Sequence, residues 1–192
     1  MTYLILGLVV FLGVHSTRIV ADGWRTAQLK RLGEGTWKGI YSLLSLAGFG
    51  LIVWGYGQAR QEPVLLWNVP VAMRHVAALL TLIAFVLLAA AYVPRNAIKA
   101  GVHHPMVLAV KVWAFAHLLA NGTLVDLLLF SAFLAWAVVC FIAARKRDRA
   151  AGTLYPTGTA GGTATTLAAG AVIWAAFAFW LHGLLIGVQP FA

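Results

Sequence analysis

The sequence has 192 residues, of which 62% are hydrophobic and only 10% charged, with a mean hydropathy of +0.89. These values lie outside the range of soluble domains and indicate an integral membrane protein. The net charge of +9 fits a membrane protein, because Lys and Arg in loops orient helices and contact anionic headgroups. Nucleic-acid binding is disfavoured, since no polar segment interleaves basic and aromatic residues. The lone Cys140 excludes an internal disulfide and any multi-cysteine iron–sulfur or zinc site.

Apolar runs of helical length follow one another along the chain, each bounded by Gly, Pro, Asn or charged residues. Six of them predict membrane spans at 3–20, 37–57, 71–92, 105–120, 124–144 and 166–188, and the fourth is short. We therefore expect an all-α fold, a polytopic integral membrane bundle of about six transmembrane helices forming one domain over 1–192. The stretch "TGTAGGTATT" before the last span predicts a flexible joint.

Basic residues are concentrated in alternate loops, which predicts the orientation of the bundle. The first, third and fifth loops contain Arg18, Arg25, Lys30, Arg31, Lys38, Arg95, Lys99, Arg145, Lys146, Arg147 and Arg149, whereas the other side has only Arg60 and Arg74. By the positive-inside rule, a multi-pass protein of the bacterial inner membrane with this pattern has both termini in the periplasm.

Ionisable groups at membrane depth are costly and are normally retained with a partner, a cavity or a function. Acidic residues are nearly absent there, because only Asp126 falls within a predicted span, close to its outer end. This argues against a paired-carboxylate hydrolase, a di-iron carboxylate site and a carboxylate proton relay. Four histidines remain in the predicted helices, namely His15, His75, His117 and His182.

The depths of these histidines leave two pairings open. His117 lies about 18 Å from the inner end of its helix and His15 about 18 Å from the outer end of the first, so the two could pair near the midplane. His75 and His182 lie within about 10 Å of outer helix ends, so either could pair with His117 in the outer half.

Histidines on several helices of a bundle suggest a haem. A single buried imidazole can also be satisfied by one hydrogen bond in a helix-to-helix contact. Four on four helices favour bis-histidine ligation, with Arg18 or Arg74 pairing with haem propionates. The first two spans contain Gly7, Gly13, Gly48, Gly50, Gly55 and Gly57. These glycines could let two helix backbones approach closely, or most of them could be ordinary packing glycines without a further role.

Several sequence blocks resemble the NnrU family. They are "FLGVHSTRI", "GIYSLLSLAGFGLIVWGYGQAR", "LWNVPVAMRHVAALLTLIAFVLLAAAYVPRNAIKAGVHHPMVLAVKVWAFAHLLANG" and "LLLFSAFLAWA". The resemblance is strongest over 1–145 and leaves 166–188 as an extra C-terminal transmembrane helix. The family is named for an association with nitric oxide and nitrite reduction, and is related to zeta-carotene isomerase, a membrane haem b enzyme.

The resemblance implies a ligand set for haem b. The isomerase's proposed ligands are a histidine in an "HS" pair, matching His15 and Ser16, and a histidine in a "WxxxH" segment, matching Trp113 to His117. The resemblance thus implies His15 and His117 as metal ligands. From the residues themselves, we take His75 as the leading substitute ligand and Arg18 and Arg74 as weaker cofactor contacts. The isomerase has a cysteine where this chain has Ala114, so a ligand swap to cysteine is not expected.

The "HHP" at 103–105 has two interpretations. Pro105 suits the first turn of a helix, and His104 before it could act as a cap. Alternatively, this is a cofactor or headgroup site, as in membrane isoprenylcysteine methyltransferases, which the "HP" and the later "NG" resemble. Those enzymes need a cytosolic acidic and aromatic segment that this chain lacks, so a membrane methyltransferase is a distant alternative.

Three classes of function follow from these features. The first is a haem b protein in redox or isomerase-type chemistry linked to nitric oxide, denitrification or carotenoid metabolism. It would act on nitric oxide or an apolar small molecule. The second is a non-catalytic accessory protein that supports a nitric oxide reductase or other respiratory subunits. A transporter is disfavoured, because the spans show no charge-lined path and no inverted repeat.

Overall fold

The computed structural model describes residues 1–191, and its helices follow the apolar runs of the sequence. In chain order they are α1 (Thr2–Val20), α2 (Asp22–Ala59), α3 (Ala72–Tyr92), α4 (Ala97–Val102), α5 (Pro105–Ala120), α6 (Leu124–Ala151), α7 (Ala160–Ala176) and α8 (His182–Ile186), with a π-helical turn (Phe177–Leu181) between α7 and α8. Residues 1–191 contain no β-strand, only an isolated antiparallel bridge between Leu65 and Thr123. The all-α prediction is confirmed.

Within residues 1–191, five helical runs are long and apolar enough to cross a membrane, namely α1, α2, α3, α6 and the continuous run Ala160–Ile186. Helix α5 is also apolar but has 16 residues. At 1.5 Å per residue it is about 24 Å long, shorter than the roughly 30 Å of a hydrocarbon layer. The structure therefore confirms a polytopic helical bundle in which the fourth predicted span is short.

Helix α2 begins earlier than the sequence predicts. It starts at Asp22 rather than near Trp37, and the first predicted loop is therefore largely helical. The helix is interrupted at Gly33, where φ is 79° and ψ is 160°. Glycine takes this conformation without the steric penalty that a side chain would bring. The basic residues of this loop therefore lie on a helix that bends before it crosses the membrane.

The prediction of a flexible joint at 157–166 is wrong for its last seven residues, because α7 begins at Ala160. Thr159 caps the helix, and its Oγ1 accepts a hydrogen bond from Gly162 N at 3.1 Å. A Cβ added to Gly162 would lie 2.5 Å from the carbonyl oxygen of Arg95. Small residues are thus required here for close packing. A segment rich in Gly, Ala and Thr could equally be flexible, so the sequence composition does not distinguish the two roles.

Hydrogen bonds gather the basic connections at one end of the bundle. Thr159 N donates to Arg95 O at 2.7 Å, and the Arg147 guanidinium donates to Arg18 O at 3.5 Å. We call this the basic end, because the Arg- and Lys-rich connections meet there. The loops predicted to share one side of the membrane therefore do share one end.

The other connections meet at the opposite end, which we call the distal end. Leu66 N donates to Gly122 O at 2.8 Å. The Arg60 guanidinium donates to Ile186 O, also at 2.8 Å, and ties the end of α2 to the C-terminal helix. Both contacts join segments that the predicted order of membrane spans puts on the same side of the membrane.

Helices α1 and α2 pack against each other through glycines. A Cβ added to Gly7 would lie 2.6 Å from Ile52 N, and one added to Gly48 would lie 2.8 Å from Phe11 N. These separations are too short for any side chain, so the absent Cβ is what allows the two backbones to touch. By contrast, a Cβ on Gly50 would meet nothing within 4 Å. The close-approach interpretation therefore applies to Gly7 and Gly48 and not to Gly50.

The buried acid Asp126 has its partners inside the protein. Its Oδ1 accepts a hydrogen bond from the Tyr56 hydroxyl and its Oδ2 one from Thr123, each at 2.6 Å. A core of Leu4, Leu8, Ile52, Val125, Leu129 and Phe130 lies beside this pair. Since the carboxylate is fully engaged in these bonds, it holds α2 to the start of α6.

Replacement of Gly48 by leucine should destabilise the bundle, whereas the same change at Gly50 should have little effect. The side chain at 48 must push α1 away from α2, and overpacking of this kind costs about 1–3 kcal/mol. Thermal unfolding of the detergent-solubilised variants, followed by size-exclusion chromatography, measures the difference. Equal unfolding temperatures for the two variants would contradict the glycine contact.

Candidate cofactor cavity at the distal end

A cavity of about 450 Å³ opens between α3, α5 and the C-terminal helical run. Its volume lies in the range of small-molecule sites, which are mostly apolar with a few placed polar groups. Its walls are largely aromatic, formed by Phe85, Trp113, Trp174, Phe177 and Phe191. Its polar groups are Arg74, Thr81, His117, Asn121, His182 and Gln189. The composition is that of a pocket for a flat, largely apolar molecule with a polar edge.

His117 lies in this cavity with its ring fixed by its own helix. Its Nδ1 is 2.8 Å from the carbonyl oxygen of Trp113, one turn earlier. A carbonyl only accepts, so Nδ1 carries the proton and Nε2 of the neutral ring keeps its lone pair. Phe130 supports the ring, with the two centroids 4.6 Å apart. The imidazole is therefore held as metal-binding histidines are held, with the second nitrogen anchored by a backbone group.

His182 lines the same cavity from the C-terminal run. It follows the π-helical turn directly, and its Nδ1 is 2.7 Å from the carbonyl oxygen of Val188. The chain returns to this position through Gly187, which has a φ of 76°. As with His117, the proton is on Nδ1 and Nε2 keeps its lone pair. Two imidazoles with the same tautomer thus border one cavity.

Further polar groups stand around these histidines. Arg74 is exposed and lines the cavity, so a carboxylate at the rim would meet its guanidinium. The Asn121 side-chain amide donates to His117 O at 2.8 Å, which closes the end of α5. Trp174 Nε1 donates to the Thr81 hydroxyl at 3.1 Å and joins the C-terminal run to α3. These bonds hold three walls of the cavity in place.

His15 lies outside this cavity, on the other side of an aromatic layer. Its ring stacks on Phe11 at 4.2 Å and approaches Tyr41 at 5.3 Å and Trp136 at 6.1 Å. Trp136 Nε1 beside it is buried without a hydrogen-bond partner in the described chain. Its own Nδ1 is 2.7 Å from Phe11 O. His15 therefore has the same tautomer as the cavity histidines but different neighbours.

The separation of His15 from His117 can be gauged along α6. His117 packs on Phe130, whereas the nearest α6 ring to His15 is that of Trp136. Six residues of helix rise by about 9 Å, and Phe133 contacts both Phe11 and Trp113 in the interval. The midplane pairing of His15 with His117 stays a prediction, which would need these rings to move.

The remaining predicted site residues do not line the cavity. His75 and Arg18 are exposed, and neither is among the lining groups. No group of three or more His, Cys, Asp or Glu side chains within 1–191 is arranged to hold a metal ion. A metal ion bound in the cavity would therefore have one or two histidine ligands from the protein, and its remaining ligand atoms would come from the cofactor that carries it.

Comparison with known proteins gives one result. A family model described as NnrU protein matches residues 3–190. The chain belongs to the NnrU family. No curated protein and no solved structure matches the chain. The relation to zeta-carotene isomerase stays a prediction, and so do the cofactor and the site residues.

The NnrU match extends through the last helix and covers every lining residue of the cavity except Phe191. The sequence resemblance, in contrast, was strongest over 1–145. Several cavity groups were not predicted as site residues at all, namely Asn121, Trp174, Phe177 and Gln189. Nothing in their spacing marks them, because they meet only when the C-terminal run packs on α3.

The histidines of the "HHP" motif belong to a separate cluster at the basic end. His104 Nε2 is 2.7 Å from Asp148 Oδ2, the Tyr155 hydroxyl donates to the same oxygen at 2.9 Å, and the Arg145 guanidinium contacts His103 Nδ1. His104 is the N-cap residue of α5, as the cap interpretation expects, but its side chain makes no hydrogen bond to the helix. Pro105 does occupy the first turn, as expected.

Within this cluster, the polar groups satisfy one another. Burial and then the hydrogen bond to Asp148 raise the pKa of the Tyr155 phenol above its ordinary value, so the phenol remains a protonated donor. His103 has a φ of 69°, which ends α4 and turns its ring onto Tyr155 at 4.2 Å between centroids. The cluster ties α4, α6 and the following loop together.

Loss of the Asp148 carboxylate should lower the stability of the NnrU-family protein. Asp148→Ala removes the acceptor shared by His104 and Tyr155, whereas the matched change Glu34→Ala removes an exposed acid paired only with Lys38. Thermal unfolding in detergent should show a larger decrease for Asp148→Ala. A decrease no larger than that of Glu34→Ala would show that the cluster is not a structural tie.

Proposed function

We propose that this NnrU-family protein is a membrane haem b protein that holds its cofactor in the distal cavity through His117. The observation that supports this most directly is the state of the His117 ring. Its Nδ1 proton is committed to Trp113 O, its Nε2 has no hydrogen-bond partner in the described chain, and the residue lines the cavity. A neutral imidazole in this state is a ready axial ligand.

The other residues of the cavity fit the remaining parts of a haem. The aromatic side chains offer the macrocycle flat apolar contacts, with Trp113 next to the ligand. Arg74 at the exposed rim would pair with a propionate carboxylate, as predicted for it. Arg18 has no place in this arrangement, because it lies at the basic end. The fit thus rests on the His117 ligand and on the aromatic side chains of the cavity.

When bound, haem b supplies one-electron redox chemistry and a site for a small molecule such as nitric oxide. The protein's part is to fix the axial imidazole, to keep water from the cavity with aromatic side chains, and to offer an apolar path between helices. These properties suit redox chemistry on nitric oxide and isomerisation of an apolar, carotenoid-like substrate. The family name favours the link to nitric oxide and denitrification.

We place the protein in the bacterial inner membrane, with both termini in the periplasm. The basic end carries almost all of the Arg and Lys residues of the loops, and the positive-inside rule assigns such an end to the cytoplasm. The cavity at the distal end would then open toward the periplasm. Small molecules and electron donors of that compartment would have direct access to it.

The test is the visible spectrum of the detergent-purified protein, oxidised and dithionite-reduced, with a pyridine haemochrome assay on the same sample. We expect a Soret band, sharp reduced α and β bands, and about one haem b per chain. His117→Ala should lose most of the haem, whereas His75→Ala, the matched change of an exposed histidine outside the cavity, should retain it.

Two results would count against this proposal. Full retention of haem in His117→Ala would remove the ligand assignment. A wild-type protein that stays colourless after reconstitution with haemin would remove the cofactor. The second result would favour the non-catalytic accessory role beside a nitric oxide reductase or other respiratory subunits.

A further inference from the structure

We propose that His182 is the second axial ligand, opposite His117, for the haem placed in the distal cavity. This inference rests on the proposed function and adds to it the partner of His117. It selects the outer-half pairing over the midplane pairing with His15. Three features support it, namely the π-helical turn, the anchoring of the His182 ring, and the position of both imidazoles around one cavity.

The π-helical turn is what directs His182 toward the cavity. Trp174, Phe177 and Ala178 line the cavity from the same helical run. With 3.6 residues per turn, an unbroken α-helix would rotate His182 by about 80° from the direction of Trp174. One extra residue in the turn Phe177–Leu181 removes about 100° of rotation and returns His182 to within about 20° of that direction. Such turns occur frequently at functional sites.

The ring of His182 is oriented as a ligand needs to be. The chain reverses at Gly187 so that the carbonyl of Val188 comes 2.7 Å from His182 Nδ1. This leaves the Nε2 lone pair without a hydrogen-bond partner in the described residues, although the ring is partly buried. The same backbone anchoring is present at His117. Two histidines on different walls therefore present the same nitrogen to one space.

Both imidazoles line the same cavity. His15 does not line it, and its ring lies behind Phe133 and beside Trp136. Bis-histidine ligation requires both Nε2 atoms on opposite faces of one macrocycle, within about 2 Å of the iron, as Zn–N and similar bonds are. His117 and His182 already line one cavity, whereas aromatic side chains such as Phe133 would have to move before His117 and His15 could bind the same iron.

The position of His182 also implies that this ligand leaves more readily than His117. It lies on α8, a helix of five residues at the C-terminal end, tied to the bundle by the Arg60 contact to Ile186 O. His117 lies on α5, directly after the buried segment that contains Ala114 and Ala116, both 0% exposed. We therefore expect departure of His182 to open the iron to a small diatomic ligand.

The experiment compares His182→Ala with His15→Ala in the full chain purified from membranes. Haem content by pyridine haemochrome reports the proposed function, and the spin state reports the ligand. We expect His182→Ala to keep at least half of the wild-type haem, to change from low-spin to high-spin by absorption and EPR, and to bind carbon monoxide when reduced. Millimolar imidazole should restore the low-spin spectrum. His15→Ala should match the wild type.

A second variant separates loss of ligation from loss of folding. His182→Gln removes the imidazole but keeps an amide donor for Val188 O, so the C-terminal turn has a substitute bond. It should show the same change of spin state, with an elution profile in size-exclusion chromatography like that of the wild type. Failure of both variants to retain haem while they elute normally would overturn the assignment of His182 as the weaker ligand.

Three further outcomes contradict the inference and are distinct from failure of the proposed function. The first is a low-spin spectrum that persists in both His182 variants. The second is a high-spin spectrum in His15→Ala, which would restore the midplane pairing. The third is a wild-type protein that binds haem but is high-spin. Absence of haem from the wild type would instead reject the proposed function itself.

Discussion

Polar groups within a lipid bilayer must find their partners inside the protein, because the hydrocarbon layer offers them no water. This constraint explains most of the side-chain bonds at membrane depth. Asp126 is bonded by Tyr56 and Thr123, and His117 and His15 each use Nδ1 on a carbonyl of their own helix. A histidine anchored in this way is stable in an apolar bundle and still keeps one free lone pair. The same histidine can therefore satisfy its Nδ1 with a backbone hydrogen bond and still bind a metal ion through Nε2.

In the C-terminal helical run, local helix geometry determines which side chains line the cavity. The π-helical turn changes the direction of His182 but leaves the span apolar and continuous. Close packing of Gly170 on Val86 brings this run onto α3, where a Cβ would lie 2.6 Å from Val86 Cα. Both features are needed for the cavity to have its third wall. The cavity thus depends on a small residue and on one extra residue in a turn.

The two ends of the bundle have different chemistry. At the basic end, Asp148, His104 and Tyr155 form a cluster whose members use one another as partners, which accounts for "HHP" without a ligand. At the distal end, the cavity histidines each have a nitrogen left over. The difference between a satisfied cluster and an unsatisfied pair is the physical reason for placing the cofactor at the distal end.

The membrane class, the helical architecture, the short fourth span and the set of histidines at membrane depth could all be predicted from the sequence. These features follow from the length of the apolar runs and from the cost of polar groups in lipid, which need no knowledge of packing. Which histidines line the same cavity could be seen only in the folded chain. Helix rotation and the π-helical turn set the direction of His117 and His182, and neither is encoded in residue spacing. Likewise, the helical start of α7 depends on contacts with Arg95 that lie far away in the chain.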